Sequence, residues 1–516
     1  MKLARQLRVW VGVVVLGLGL AAGPRAEVPA GAVPLSLQDA LKTSMQNNFD
    51  IRVDRVVLEQ ADWALKGSYG LYDTQLTFDW TTQVNRQPAT SSLQVGTVTT
   101  EYMNRQDAYN LGLQQGTPWG QFFQFQWNNA RGRSNSSYNY LNPSYTSSGF
   151  LGTTLPLLRG LGKDVASVTV LKAKIDRSVA DVSFVKALRD SLLQVESDYF
   201  QLVYAIKDLE AKEAALELAK KFQDETRKKI EVGVLAPIEQ VTADAQVATR
   251  DQDIITASQS VGDRNDILKL DMGIPKDSAD WQRPIQPTDG PKLISNDKPE
   301  DQLIQDALAR RPEVAILQGK VDKDKLDLKV AKNGMLPSLN LSASLTYNGA
   351  AGTIRDPITG QVIWDYGFPK AWTQITNLDY KSYFVGLSLA IPLQNRAAKA
   401  QYQTTRLVQT ADEISLEKLK LSISNEVRSA MRDLEAAQKR VAAAELAYRL
   451  STEKLEAEQK KYDNGLSTAF NVLSYQNDLL TAATNRLNAR IYTQVAGAKL
   501  ERAIGRYLES RGIEIK

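Results

Sequence analysis

Two stretches of about 70 residues, Lys163 to Val232 and Asn395 to Asn464, contain neither glycine nor proline. As helices, each would reach roughly 105 Å at 1.5 Å rise per residue. That is several times the usual globular helix, so neither can be an ordinary core helix. Each stretch follows an alternating, strand-like segment that stops at a proline, at Leu155-Pro156-Leu157 and Ile391-Pro392-Leu393. Each ends at a lone glycine, Gly233 or Gly465. One architecture is thus written twice, and a fold for this chain must use it twice.

The duplication overrides the prior of about three globular domains that a 516-residue length would suggest. Charge is nearly balanced at +4, with basic residues scattered among Glu and Asp, so no nucleic-acid partner is expected. The chain has no His and no Cys. This excludes His- or Cys-based nucleophiles, the usual zinc ligand sets and thiolate clusters. With no phosphate loop either, we expect no enzyme activity, no metal and no cofactor.

Met1 to Ala26 places Lys2, Arg5 and Arg8 before the apolar run Val9–Ala22 and the small-residue stretch Ala21-Ala22-Gly23-Pro24-Arg25-Ala26. That order predicts a secretory signal peptide over residues 1–26, cleaved between 22 and 27. The apolar run is shorter than the ~20 residues that span a bilayer. No Cys follows the leader, so a lipoprotein anchor is not expected. No later stretch suits a spanning helix, which leaves an exported chain either soluble or a barrel.

The first repeat covers 27–272 and the second 301–516, with a Pro- and Asp-rich linker at 273–300. Leu37-Gln38-Asp39-Ala40-Leu41 and Ile304-Gln305-Asp306-Ala307-Leu308 open amphipathic helices that reach about Lys66 and Lys332. Pro312 predicts a break in the second. Strands follow at about 72–84 and 145–155, and at about 338–347 and 383–391. Tyr72, Thr74, Leu76, Phe78 and Trp80 share one face of the first; Leu339, Leu341, Ala343, Leu345 and Tyr347 share one face of the third. Tyr383, Val385, Leu387, Leu389 and Ile391 alternate in the same way. Aromatic-rich faces opposed by small polar residues suit a sheet between lipid and a wet lumen better than an ordinary half-buried sheet. Polar loops fill 85–144 and 348–380. The first contains a further hairpin candidate, Tyr109–Gln115 and Gln121–Asn129 around Thr117-Pro118-Trp119-Gly120. It could join the barrel, extend it or fold over its mouth.

The helical hairpins are placed at 163–272 and 395–504. Leu188, Leu192, Val195, Tyr199, Leu202, Ile206 and Leu209 step by fours and threes, as do Val427, Ala430, Leu434, Ala437, Val441, Ala444, Tyr448 and Leu455. This is heptad packing, with alanines that let neighbouring helices approach. Helical patterns resume at Ile238–Met272 and Thr468–Ile504, which makes Gly233 and Gly465 the tips of antiparallel hairpins.

The leader, the doubled helix–strand–strand–helix-hairpin, the proline exits and the tips Glu231-Val232-Gly233-Val234-Leu235 and Tyr462-Asp463-Asn464-Gly465-Leu466-Ser467 together resemble the TolC family of outer-membrane efflux proteins. The resemblance spans about residues 35–510. It implies a mainly α chain with a membrane β-barrel, a homotrimer whose four strands per chain close a twelve-strand barrel, and a long periplasmic α-helical tunnel. It implies outer-membrane lipid, a periplasmic adaptor protein and an inner-membrane transporter as partners, and a location in the outer membrane of a Gram-negative-type bacterium. Tyr462 matches a gating tyrosine and Glu239 an acidic partner at the periplasmic gate; plain helix packing and a solvated carboxylate are the alternatives. Ser467, Asn471 and Ser474 stand where well-known members carry an arginine and two inward aspartates, so the usual locking contacts and aspartate ring are missing. Gly233, Val234, Leu235, Gly465, Leu466 and Ser467 match the adaptor-contact tips, and an exposed Val234 and Leu235 would favour a partner there.

The function implied is a passive exit duct in a tripartite efflux system. The duct of a type I protein-secretion system is the rival within the fold. An exported structural coiled coil is the rival outside it, and has no use for four alternating segments with aromatic faces.

Overall fold

The computed structural model describes residues 31–90, 100–136, 139–292, 298–356, 359 and 361–513; the leader expected at 1–26 lies outside them. The elements are β1 (Val33–Leu35), α1 (Leu37–Asn47), α2 (Phe49–Ser68), β2 (Gln75–Pro88), β3 (Glu101–Gly116), β4 (Phe122–Ser134), β5 (Ser144–Pro156), α3 (Lys163–Ala166) and α4 (Val168–Glu231). They continue as α5 (Ile238–Asp271), α6 (Ala279–Gln282), β6 (Ile285–Pro287), α7 (Glu300–Arg310), α8 (Pro312–Gly334), β7 (Ser338–Arg355) and β8 (Val362–Asp365). The last are α9 (Phe368–Thr376), β9 (Tyr380–Ala390), α10 (Arg396–Asp463), α11 (Ala469–Ile504) and α12 (Tyr507–Ser510). The chain divides into two compact units, one of Met1–Gln60, Val179–Gln318 and Ile414–Lys516, the other of Ala61–Ser178 and Gly319–Glu413.

The first unit is helical. The predicted stripe of α4 is its core: Leu192, Val195, Tyr199 and Leu202 are fully buried, packed with Ala40, Leu41, Leu268, Met272 and Tyr507. A second cluster joins Val427, Leu434 and Ala437 of α10 to Leu303, Ala307, Leu500 and Ala503. Ser36 caps α1 by accepting the Asp39 backbone N–H at 3.1 Å. Pro312 starts α8 where α7 has ended, since its missing N–H costs nothing in a first turn. The equivalent break between α1 and α2 carries no proline. There Asn48 leaves the helix at ψ 130° and its side-chain oxygen accepts the Ile51 N–H at 3.0 Å. The linker is not structureless, because β6 pairs in parallel with β1.

The second unit holds an antiparallel sheet in the order β2-β3-β4-β5-β7-β8, with β9 also on β7. It is a seven-stranded sheet, where four strands are expected from the sequence. The hairpin candidate accounts for most of the difference, for it is β3 and β4, inserted between β2 and β5. A 3-10 turn at Tyr69–Tyr72 delays β2 to Gln75. β7 runs on to Arg355, and β8 pairs with this extension. α9 also lies in the 348–380 region predicted as loop. Among the described residues β2 pairs with β3 alone and β9 with β7 alone, so the sheet is open at both edges.

Candidate functional site

The two hairpin tips are built alike. At the first, Gly233 has φ +77°, and the Val234 N–H reaches back to the Lys229 carbonyl at 2.9 Å. At the second, Gly465 has φ +73°, and the Leu466 N–H reaches the Lys461 carbonyl at 2.8 Å. Both are Schellman closures, which need a left-handed residue just past the helix. A Cβ on either glycine would meet nothing within 4 Å, so backbone conformation and not crowding selects glycine.

Beyond the turns the tips expose apolar side chains. Val232, Val234, Ile238 and Val241 on the first hairpin are each more than half exposed, as are Leu466 and Phe470 on the second. Leu235, expected to be exposed beside Val234, instead packs inward against the core of the tips. Ile238, Val241 and Phe470 escaped sequence reasoning. Their signal was a large apolar residue on the helix face away from Ala243, Ala469, Val472 and Leu473, which are buried.

Tyr462 lies in that core. It is 4% exposed, clustered with Phe222, Ala243, Ala469, Val472 and Leu473, so it ties residues of both hairpins together. Its ring tilts against Phe222 at 5.5 Å, and the Lys229 ammonium sits 3.9 Å from the ring centroid. Burial pushes its phenol up, and the nearby carboxylates of Glu239, Glu225 and Asp463 push the same way, while the Thr226 hydroxyl opposes them. The fold therefore brings Glu239 and Tyr462 into one electrostatic neighbourhood without a hydrogen bond between them. Ser467 donates to Glu458 Oε1 at 2.6 Å, and Asn471 Nδ2 donates to Ser467 at 3.4 Å. These bonds, that from Ser467 first and then one from Lys461, hold the Glu458 carboxyl below its usual range. Ser467 and Asn471 are thus turned to α10 of their own hairpin, and Ser474 is half-buried one turn further along α11.

Near the turn between β3 and β4 the sheet of the second unit separates its faces, before Arg105, Asp107 and Arg131 put charge on the apolar side further along. Cross-strand partners share a face, and one row across six strands reads Leu76, Leu113, Phe125, Leu151, Leu345 and Tyr383. On the opposite face a row reads Asp79, Asn110, Asn128, Ser148, Asn348 and Tyr380. Tyr383 is 83% exposed and Leu76 is 65% exposed on the apolar side. α9 lies on that side too: a Cβ on Gly349 would strike the Ala371 backbone, and Phe368 and Trp372 meet Tyr145 and Trp127 edge to face at 4.9 and 5.6 Å. That alternation is the pattern expected of a sheet set between water and an apolar medium. Among the described residues no helix is long and apolar enough to cross a membrane.

Comparison with known proteins adds to this geometry. A model of the outer membrane efflux protein family matches residues 303–506. Outer membrane protein TolC of Escherichia coli is 24% identical over 343 residues, a match that covers 63% of this chain and 64% of the relative, just under two thirds of its length. The outer-membrane channel OprN superposes with a TM-score of 0.66 at 16% identity, over 91% of this chain and 89% of its own. The Campylobacter jejuni CmeC outer membrane channel does so with 0.65 at 14% identity, over 93% and 90%. At such identities the superpositions show the fold alone. Residues 303–506 thus match the outer membrane efflux protein family, and the chain is similar in sequence to outer membrane protein TolC and in fold to outer-membrane channels.

Proposed function

We propose that this chain is a passive exit duct of the outer membrane, working as a homotrimer with an inner-membrane transporter and a periplasmic adaptor, and performing no chemistry of its own. The observation that carries the reading is the two-faced sheet: an exposed apolar side fits lipid, a polar side fits a water-filled lumen, and the free edges of β2 and β9 require neighbours. Three copies would supply those edges, leaving none open. The helices would then continue the conduit through the periplasm.

The tips are proposed as the adaptor contact, through Gly233, Val234, Gly465, Leu466 and Ser467, with Leu235 supporting them from within. The exposed apolar side chains around the two turns support this, since a solvent-facing tip gains nothing from them alone. The periplasmic gate is placed at Tyr462 and Glu239, with Asn471 and Ser474 beyond. Since Tyr462 is locked between both hairpins, opening would have to part the tips and not merely swing one side chain.

The test is complementation in a strain lacking its own copy. The protein should fractionate with the outer membrane, run as a trimer in mild detergent, and lower intracellular accumulation of exported compounds only when adaptor and pump are present. A soluble monomer after export would defeat the proposal.

A further inference from the structure

β3 and β4 run the full height of the sheet. β3 pairs with β2 from Glu101 to Gln114 and with β4 from Asn104 to Gly116, and β4 pairs with β5 from Phe122 to Gly132. The turn between them sits where the sheet gives way to helix: the Ser167 hydroxyl donates to the Pro118 carbonyl at 2.6 Å, and the Gly162 N–H to the Trp119 carbonyl at 3.3 Å. A Cβ on Gly120 would come within 2.5 Å of the Gly160 carbonyl, so the turn is seated too closely for any other residue at that position, where φ is +95°.

The hairpin also obeys the face code of its neighbours. Leu111, Leu113, Phe125 and Trp127 fall in the apolar rows, while Asn110, Gln114, Gln124 and Asn128 fall in the polar ones. A hairpin folded over the mouth would have no reason to keep apolar residues in step with Leu76 on one side and Leu151 on the other. A strand slipped by one residue would put every one of them on the wrong face.

We propose that β3 and β4 are wall strands, so that each chain contributes six long strands, β2, β3, β4, β5, β7 and β9, and the barrel closes with eighteen rather than twelve. This rests on the trimer proposed above. An even number per chain keeps the alternation intact, with β9 of one copy antiparallel to β2 of the next. Because barrel diameter grows roughly linearly with strand number, the exit would be about 1.5 times as wide as a twelve-strand one and about 2.25 times as large in cross-section, in the size range that holds an open aqueous channel. The polar face that the hairpin adds, Asn104 to Gln114 and Gln124 to Ser134 at alternate positions, carries amides, hydroxyl, Ala and Gly but no charge. The added wall therefore enlarges the exit without making it select by charge.

The chain contains no cysteine, so an introduced thiol is unique. Leu113→Cys, Phe125→Cys, Asn110→Cys and Gln126→Cys, with Leu345→Cys as the wall reference, are labelled with a fluorescent maleimide in nanodiscs containing nitroxide lipid. Labels at Leu113→Cys and Phe125→Cys should lose fluorescence as fully as that at Leu345→Cys. Asn110→Cys and Gln126→Cys should react with a water-soluble maleimide and stay unquenched. If Leu345→Cys is quenched while Leu113→Cys and Phe125→Cys are not, the hairpin lies outside the wall and the proposal is overturned. If Leu345→Cys is also unquenched, the membrane reading itself falls, and this one with it. Native mass spectrometry of the same samples should give three chains; another number overturns the count of eighteen through the stoichiometry, independently of the labels. End-on electron cryomicroscopy should then show eighteen strands, and twelve would refute the enlarged wall.

Discussion

Arg511 grips Glu196 with two hydrogen bonds, Nε to Oε2 at 2.8 Å and Nη2 to Oε1 at 2.7 Å, and Glu196 is wholly buried. The Tyr507 hydroxyl donates to the same carboxylate at 2.8 Å and Gln494 Nε2 at 3.3 Å, so the end of the chain is fastened into the core of α4. Removing one partner of a buried pair leaves the other charge unpaired and costs about 3–5 kcal/mol. Arg511→Ala should destabilise the helical unit by that order in denaturant unfolding. The double variant Glu196→Gln, Arg511→Met should recover much of it, because neither charge is then buried. If Arg511→Ala unfolds like the parent, the pair is not what anchors the C-terminal segment.

The tip glycines should tolerate asparagine far better than valine. Both have positive φ in open space, so the penalty is purely conformational. A β-branched residue there costs about 1–3 kcal/mol locally, while asparagine visits the left-handed region readily. Gly465→Val and Gly233→Val should lose adaptor cross-linking and export while trimer levels hold, and the asparagine variants should keep both. Equal behaviour of valine and asparagine would show that the turn geometry is irrelevant to docking.

At the gate, Tyr462→Phe keeps the ring contacts with Phe222 and the tip core, and Tyr462→Ala removes them. We expect Tyr462→Ala to loosen the tips by about 3–5 kcal/mol and to expose α5 and α11 to rapid amide exchange. Tyr462→Ala should also raise single-channel conductance, while Tyr462→Phe with Glu239→Ala, which keeps the tip packing, should leave exchange and conductance near the parent's. Unchanged conductance for Tyr462→Ala with intact trimers would mean that the packed tips do not close the duct.

The sheet faces predict an asymmetry between neighbours. Leu345→Arg puts a charge in the apolar row, at about 2–4 kcal/mol if the site lies near the bilayer midplane. Ser344→Arg puts the same charge on the polar side. Assembled protein in outer-membrane fractions should fall for Leu345→Arg and persist for Ser344→Arg. The reverse order would mean that the faces have been assigned the wrong way round.

The long elements were legible because their signals are repetitive. The stripe from Leu188 to Leu202 needs only heptad counting, and Pro312, Gly233 and Gly465 punctuate by their own backbone limits. β3 was half legible, since Tyr109, Leu111 and Leu113 alternate, but above them Arg105 and Asp107 put charge on the same face and end the pattern. Only pairing with β2 reveals that the strand continues. The break at Asn48 has no proline to announce it. α9 is short, and its aromatic face makes sense only once β5 and β7 lie beneath it. Tyr462 could be singled out by position, but its burial depends on Phe222 and Ala243, which are far away in sequence. Glu196 sits unmarked within an apolar stripe, and nothing local pairs it with Arg511.

Stability at the base of α5 should depend on pH. The Asp271 carboxyl is pushed up to about 7, first by burial, then by a hydrogen bond and charge from Asp198, and then by Asp50. Asp198 is itself held by Gln194 Nε2 at 2.7 Å, so the two acids are kept together instead of swinging apart. A carboxyl whose folded value lies above its ordinary 3.8 binds a proton more tightly when folded. Stability must therefore fall as pH rises from about 4 to about 7 and level off above, where the acid is ionised in both states. Asp271→Asn carries no proton to lose and should flatten that part of the profile. It should raise the unfolding midpoint at pH 8 and leave it nearly unchanged at pH 4. A variant whose profile parallels that of the parent across this window would mean that the Asp198–Asp271 pair does not share a proton.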